Sequence, residues 1–207
     1  MKPALRRVLI MASGNGSNAQ VLLDFAEVCD PRYQVVAVLS DHPDARVLER
    51  AASAGVRTEI LERQPGETRD RYDIRLERVV APYQPDLIVL AGWMRILTGE
   101  FCSRFKIVNL HPAKPGMFPG ASAIGDAFAA FQAGGIAETG VMVHWVPDAG
   151  VDTGPVIRVE GVPIVAGDTL DSLADRVHAV EHRLLPLAVG DALRSLKCSD
   201  TTPLEVP

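Results

Sequence analysis

Several things are missing from this chain of 207 residues, and each absence narrows what it can be. No apolar run approaches the length of a membrane span. The start, MKPALRRVLIMAS, is basic and then apolar, but Val8–Ala12 is too short for the core of a signal peptide and leads straight into a glycine loop. There is no basic excess: the formal net charge is −5, which argues against a general nucleic-acid binder. Cysteine is scarce. Cys29, Cys102 and Cys198 are odd in number and far apart, with neither zinc spacing nor a disulfide framework. That usage fits a reducing compartment and a cytoplasmic protein. There is no internal repeat and no low-complexity segment. What remains, 47% apolar and 23% charged residues, is the composition of a globular domain with a sizeable core.

Apolar patterning predicts strands at Arg7–Ala12, Gln34–Leu39, Val56–Leu61 and Asp86–Leu90. Helices are predicted between them at Ala19–Cys29, with Ser17 or Asn18 as N-cap, at Ala45–Ala54, closed by Gly55, and at Thr68–Ala81. This alternation implies βαβ units. The fold class expected is α/β: a Rossmann-like, open, mostly parallel sheet with helices on both faces. The second half is less regular. Ile107 and Val108 end a short buried strand. Ala121–Gln132 reads as a helix, Thr139–Val146 and Pro155–Val162 as two strands about a turn, and Asp168 or Thr169 as the cap of a long helix reaching about Arg194. We expect a single domain over 1–207, with a nucleotide-type half at about 5–105, a catalytic half at about 106–196 and a polar, frayed tail at 198–207.

The stretch Lys106–Gly120, KIVNLHPAKPGMFPG, organises the chemistry. Strand alternation puts Asn109 and His111 on one face, Leu110 on the other, and Pro112 stops the run. An amide able to hold an oxyanion and an imidazole able to carry a proton thus sit where a strand opens into a loop. Ligands bind at such strand ends in open α/β sheets. Asp152, within Gly150–Pro155, lies in a loop and would stabilise the imidazolium if the fold brings it to His111; otherwise it is a turn residue. The glycine loop Ser13–Asn18 opens a helix and offers backbone amides, with Asn15, Ser17 and Asn18 as side-chain donors, so a single phosphate is the natural guest. Its spacing also fits a looser dinucleotide fingerprint, with Asp41 where a ribose-binding acid would sit, so a nicotinamide dehydrogenase is an alternative. Gly92–Leu97 follows the fourth strand and could line a slot for a flat ring. His178-Ala-Val-Glu181-His182 matches a zinc pattern, H-x-x-E-H, for which only Glu205 remains as a third ligand. More simply, Glu181 points into the cleft. His144 reads as a core or edge histidine, and His42 as the start of a turn.

In order along the chain stand SGNGSN (Ser13–Asn18), AGWMRIL (Ala91–Leu97), NLHP (Asn109–Pro112), GVDTGP (Gly150–Pro155) and VEHRLLP (Val180–Pro186). This ordered set, over about Arg7 to Leu196, resembles the phosphoribosylglycinamide formyltransferases, folate-dependent enzymes of purine biosynthesis. The resemblance implies transfer of a formyl group from the co-substrate 10-formyltetrahydrofolate to the amine of glycinamide ribonucleotide, with no metal and no nicotinamide. It implies that Gly16, Ser17 and Asn18 hold the phosphate and Glu181 the ribose. Met94, Arg95, Ile96 and Leu97 line the pterin pocket, with Arg95 reaching towards the folate tail. Arg69 is a folate-side arginine, Asp148 and Val151 belong to the second wall, and Asn109 also faces the folate. Asn109, His111 and Asp152 form the catalytic group. Neither nucleic acid nor membrane is implied as a partner, and a homodimer is compatible with the resemblance.

Three departures from that family are visible. The loop after His-Pro commonly runs Ser-Leu-Leu-Pro, whereas here it is Ala113-Lys114-Pro115-Gly116, which predicts a more mobile, more polar loop. Ser122 stands where many relatives carry a histidine that supports the catalytic carboxylate. The turn before Asp152 is one residue longer than in some relatives. Other formyl-folate enzymes, a hydrolase or a formyltransferase on another amine, share the Asn-x-His…Asp core and are the nearest alternatives.

Overall fold

A computed structural model describes residues 5–29 and 31–199, side chains of 197–199 excepted. Residues 200–207 of the expected tail, with Glu205, lie outside the described residues. Seven strands form one sheet in the order β3-β2-β1-β4-β5-β6-β7. They are β1 (Arg6–Met11), β2 (Tyr33–Ser40), β3 (Thr58–Ile60), β4 (Leu87–Leu90), β5 (Ile107–His111), β6 (Glu138–Trp145) and β7 (Val156–Pro163). The first five run parallel, while β6 pairs antiparallel with both β5 and β7. The mostly parallel sheet expected from the strand–helix alternation is therefore present.

The helices are α1 (Ser17–Phe25), α2 (Arg46–Ser53), α3 (Arg69–Val80), α4 (Gly99–Arg104), α5 (Ala123–Gln132) and α6 (Leu170–Ser199). Strand alternation sorts the core into two layers. Val8 and Ile10 of β1 point to the layer built with α1, α2, α5 and α6, whereas Leu9 and Met11 point to the layer built with α3 and α4. Both faces of β1 and β4 are buried, which is why they read as unbroken apolar runs. Thr68 and Thr98 cap α3 and α4 through their side chains, and Thr169 caps α6 by accepting from the Ser172 amide.

Two predicted elements change. The third strand shrinks from Val56–Leu61 to Thr58–Ile60, because it is an edge strand paired only with β2 over three residues. Helix α1 is not capped by Ser17 or Asn18. Its N-cap is Gly16, held in the left-handed region at φ 73°. A Cβ there would overlap Val47 at the start of α2, so a side chain at this position would force the turn to shift.

Successive strands are added to one side of β1 as far as β3 and to its other side from β4 onward, so β1 and β4 flank a topological switch point, outside whose carboxyl ends a crevice opens. The glycine loop follows β1, Gly92–Leu97 follows β4, and His111 ends β5. All three therefore meet at one edge.

Candidate active site

A cavity of about 300 Å³ opens at that edge, walled by Trp93–Leu97 on one side, by Asp148, Val151 and Asp152 on the other, and floored by Asn109, His111 and His144. A second of about 290 Å³ lies over the glycine loop, Ser13–Asn18, with His42 on its rim. Gly92 and Met94 line both.

The floor of the larger cavity is a network of side chains from distant segments. His111 Nδ1 is 3.3 Å from Asp152 Oδ2. Asn109 Nδ2 donates to Asp152 Oδ1 at 3.0 Å. The Gly120 amide donates to Asp152 Oδ2 at 2.9 Å. His111 is 3% exposed. Its Nε2 lies 3.0 Å from the Phe118 carbonyl, an oxygen that only accepts, so this nitrogen carries a hydrogen.

His144, read from the sequence as a core or edge histidine, is buried, and it also lines the cavity. β6 pairs antiparallel with β5, which sets His144 opposite Asn109. Its Nδ1 donates to the Trp145 carbonyl at 2.8 Å, and its Nε2 lies 3.3 Å from Asn109 Nδ2 and 3.5 Å from Asp152 Oδ1. The register of a strand pair, invisible from one strand alone, makes it part of the site. His144 thus stands beside the carboxylate of Asp152. Burial works against a charge on Asp152, but His144, the Gly120 amide and His111 outweigh it and hold its carboxyl below the usual range.

Among the described residues only Gln84, Phe118 and Asp152 are non-glycine residues with left-handed backbone. Two of these three hold the two ring nitrogens of His111. Such a backbone costs about 1–2 kcal/mol per residue, and strain of this kind gathers at functional sites.

At the glycine-loop end, Ser17, Asn18 and Ala19 open α1, whose first-turn amides have no partner within the helix. The side chains there are more committed than the sequence suggested. Asn15 accepts from Arg50 through its carbonyl and side-chain oxygens. Asn18 Nδ2 donates to Glu181 Oε2 at 2.9 Å. Glu181 is 4% exposed and also meets His178 Nδ1 at 2.9 Å, which raises the pKa of His178. Glu181 thus faces the glycine loop. Among the described residues no group of three or more His, Cys, Asp or Glu is placed to hold a metal ion. No described helix is long and apolar enough to cross a membrane.

Arg95 lines the cavity and is also tied back into the protein: its Nε donates to Asp41 Oδ2 at 2.6 Å and its guanidinium stacks over Tyr72. The same pair removes the ribose-binding acid that a dinucleotide site would need, since the Asp41 side chain is 2% exposed and engaged. Arg69 is exposed in the first turn of α3 and is not part of the cavity wall. Leu97 is buried in the core as well as lining the cavity, whereas Met94 and Ile96 are exposed at its mouth. Val151 lines the opposite wall, and Asp148 shapes the turn there by accepting from the Gly150 amide at 2.7 Å. Lys114, in the altered loop, is tied to Glu138, and the neighbouring Ala113 is fully buried.

Known proteins place this arrangement. The chain is 41% identical over 204 residues to a phosphoribosylglycinamide formyltransferase of Schizosaccharomyces pombe, covering 92% of this chain and 98% of that one. The crystal structure of a phosphoribosylglycinamide formyltransferase from Streptococcus pneumoniae superposes with a TM-score of 0.80 at 41% identity, covering 89% and 97% of the two chains. One from Bacillus halodurans gives 0.84 at 35% identity, covering 91% and 95%. Residues 6–189 match the formyl transferase family, and with the parallel sheet, the glycine loop and the Asn109–His111–Asp152 cluster in place, the chain belongs to that family.

Proposed function

We propose that this chain transfers the formyl group of 10-formyltetrahydrofolate to the amine of glycinamide ribonucleotide. The observation that carries the reading is the meeting of an amide, an imidazole and a carboxylate from β5 and the β6–β7 turn at the floor of one cavity. Beside it lies an anion-ready helix start at a distance bridged by shared wall residues.

In this reading the phosphate sits on the Gly16–Asn18 amides, where the helix start favours an anion. Glu181, held by Asn18 and His178, meets the ribose. Met94–Leu97 with Asp148 and Val151 enclose the pterin ring, and Arg69 stays outside, on the folate side. No metal is used. The ribonucleotide amine attacks the formyl carbon and forms the new C–N bond. The carbonyl oxygen gains negative charge, which Asn109 and His111 meet with N–H donors. The tetrahedral centre then collapses, the bond to folate N10 breaks, and the proton lost by the amine passes by way of His111 to N10. Asp152 remains a carboxylate throughout and holds the imidazolium in place. The His111 Nε2–H now given to Phe118 is the donor that the substrate oxygen would claim. Each such donor is typically worth about 2–4 kcal/mol of barrier. The chain acts as one domain in a reducing, cytoplasmic compartment.

A spectrophotometric formyl-transfer assay with glycinamide ribonucleotide and a 10-formyl folate tests the reading. Turnover that requires both substrates is expected; binding of both without turnover would refute it.

A further inference from the structure

Asp41 stands between the two cavities. It follows β2 directly, and its buried carboxylate is met through a single oxygen. Oδ2 accepts from Arg95 Nε at 2.6 Å and lies 3.6 Å from His42 Nε2, while Oδ1 is buried without a partner. Arg95 lines the larger cavity and His42 the smaller. Behind Arg95 lies the ring of Tyr72, 4.9 Å from the guanidinium carbon, and the Tyr72 hydroxyl donates to the Leu61 carbonyl at 2.7 Å. One desolvated carboxylate therefore joins the end of β2 to the segment after β4, with α3 as backing. A carboxylate this deep is costly unless paired, so Asp41 holds Arg95 against it.

The segment after β4 is the wall that both cavities share. Its backbone is fixed at Gly92, whose carbonyl accepts from the Ser13 amide at 2.9 Å, and at Met94, whose amide donates to Ser13 Oγ at 3.0 Å. It is fixed again at Thr98, whose amide donates to Asp73 at 2.6 Å. Arg95 is the side-chain tie between those points. The catalytic side chains hang on other elements, β5, β6 and the β6–β7 turn, and have their own bonds.

We infer that Asp41 is a positioning residue: through Arg95 it holds the shared wall, and so sets the affinity for both substrates while touching neither. The inference rests on the assignment of the two cavities made above. Its signature is a rise in KM that outweighs any loss in kcat, because the wall contacts ground state and transition state alike.

Asp41→Asn keeps the volume and removes the charge. In the formyl-transfer assay its KM for 10-formyltetrahydrofolate should rise about tenfold and its KM for the ribonucleotide about threefold, with kcat falling less than about twofold. Arg95→Met should give the same split, and the double variant should be no worse than either alone, as expected for two residues that act as one unit. Trp93, buried in the same wall, supplies a readout independent of turnover. The chain has two tryptophans, so in a Trp145→Phe background the emission of Trp93 should move to longer wavelength on Asp41→Asn. Unchanged KM values with unchanged emission would overturn the inference, as would a loss confined to kcat. If the parent enzyme forms no product with glycinamide ribonucleotide, the proposed function fails and the Trp93 emission alone decides the role of Asp41. Should Asp41→Asn fail to fold, Arg95→Met carries the same expectations.

Discussion

The two ends of the cleft are built on different principles. At the glycine-loop end, consecutive residues of one short loop line the cavity and open α1, and one left-handed glycine wedged against Val47 fixes their direction. At the carboxylate end nothing is contiguous. Asn109 and Asp152 are 43 positions apart, and Phe118, Gly120 and His144 join them from three further points in the chain. The first end is a generic anion seat that many folds could supply. The second is specific, because its acid, amide and imidazole keep their places only while β5, β6 and two strained turns hold together. Damage at the first end should therefore appear in binding, and damage at the second in the chemical step.

The largest expected effect is at the carboxylate end. His111→Ala and Asp152→Asn should each lower kcat by about 10²–10⁴-fold, the usual range for a removed acid–base group, with folding retained. Rates near those of the parent would dissolve the contrast between the ends. Gly154→Ala probes the same end indirectly. A Cβ at this position would collide with the Trp145 carbonyl, so the turn carrying Asp152 must shift. A fall in kcat larger than the rise in either KM is the expected result of a kinetic comparison.

Gly16→Ala is the matching break at the other end. The left-handed backbone alone costs about 1–2 kcal/mol, before the overlap with Val47 is relieved. Thermal unfolding should register the loss, and the KM for the ribonucleotide should rise while that for the folate moves little. Equal effects on both would mean that the two cavities do not separate the substrates.

Two smaller effects concern pH. Asp152 has its carboxyl below the ordinary 3.8, so its pairing contributes stability above that value and loses it as pH falls through the lowered one. Asp152→Asn should flatten that part of an acid-unfolding curve. His178 shows the opposite sign. Glu181 raises its pKa above the ordinary 6.5, so the contribution is complete below that pH and fades as pH climbs through the raised value. The stability gap between parent and His178→Gln should narrow from pH 6 to pH 9 in chemical denaturation. A gap that widens would place the proton elsewhere.

How far each end could be read from the sequence follows from the same contrast. The glycine loop, the strand end at Asn109–His111 and the alternation of strands and helices are local patterns, and they appear where the residues predicted them. His144 was missed because its partner lies across a strand pair, and a strand read alone does not reveal its register. The tie between Arg95 and the buried Asp41 just past β2 is likewise invisible in either segment read alone. Asn18 reads from its loop as a phosphate donor, and only the fold shows that its side-chain amide also donates to Glu181, 163 positions away.

Composition and periodicity were enough for an α/β sheet with a glycine turn after β1 and a polar pair at the end of β5, since backbone sterics and apolar spacing act over a few residues. Only the packed molecule decided that Asp152 reaches His111, that His144 joins them and that Asp41 takes Arg95. Those pairings depend on which distant segments exclude water from one another, and a buried charge accepts whichever partner the packing brings within reach.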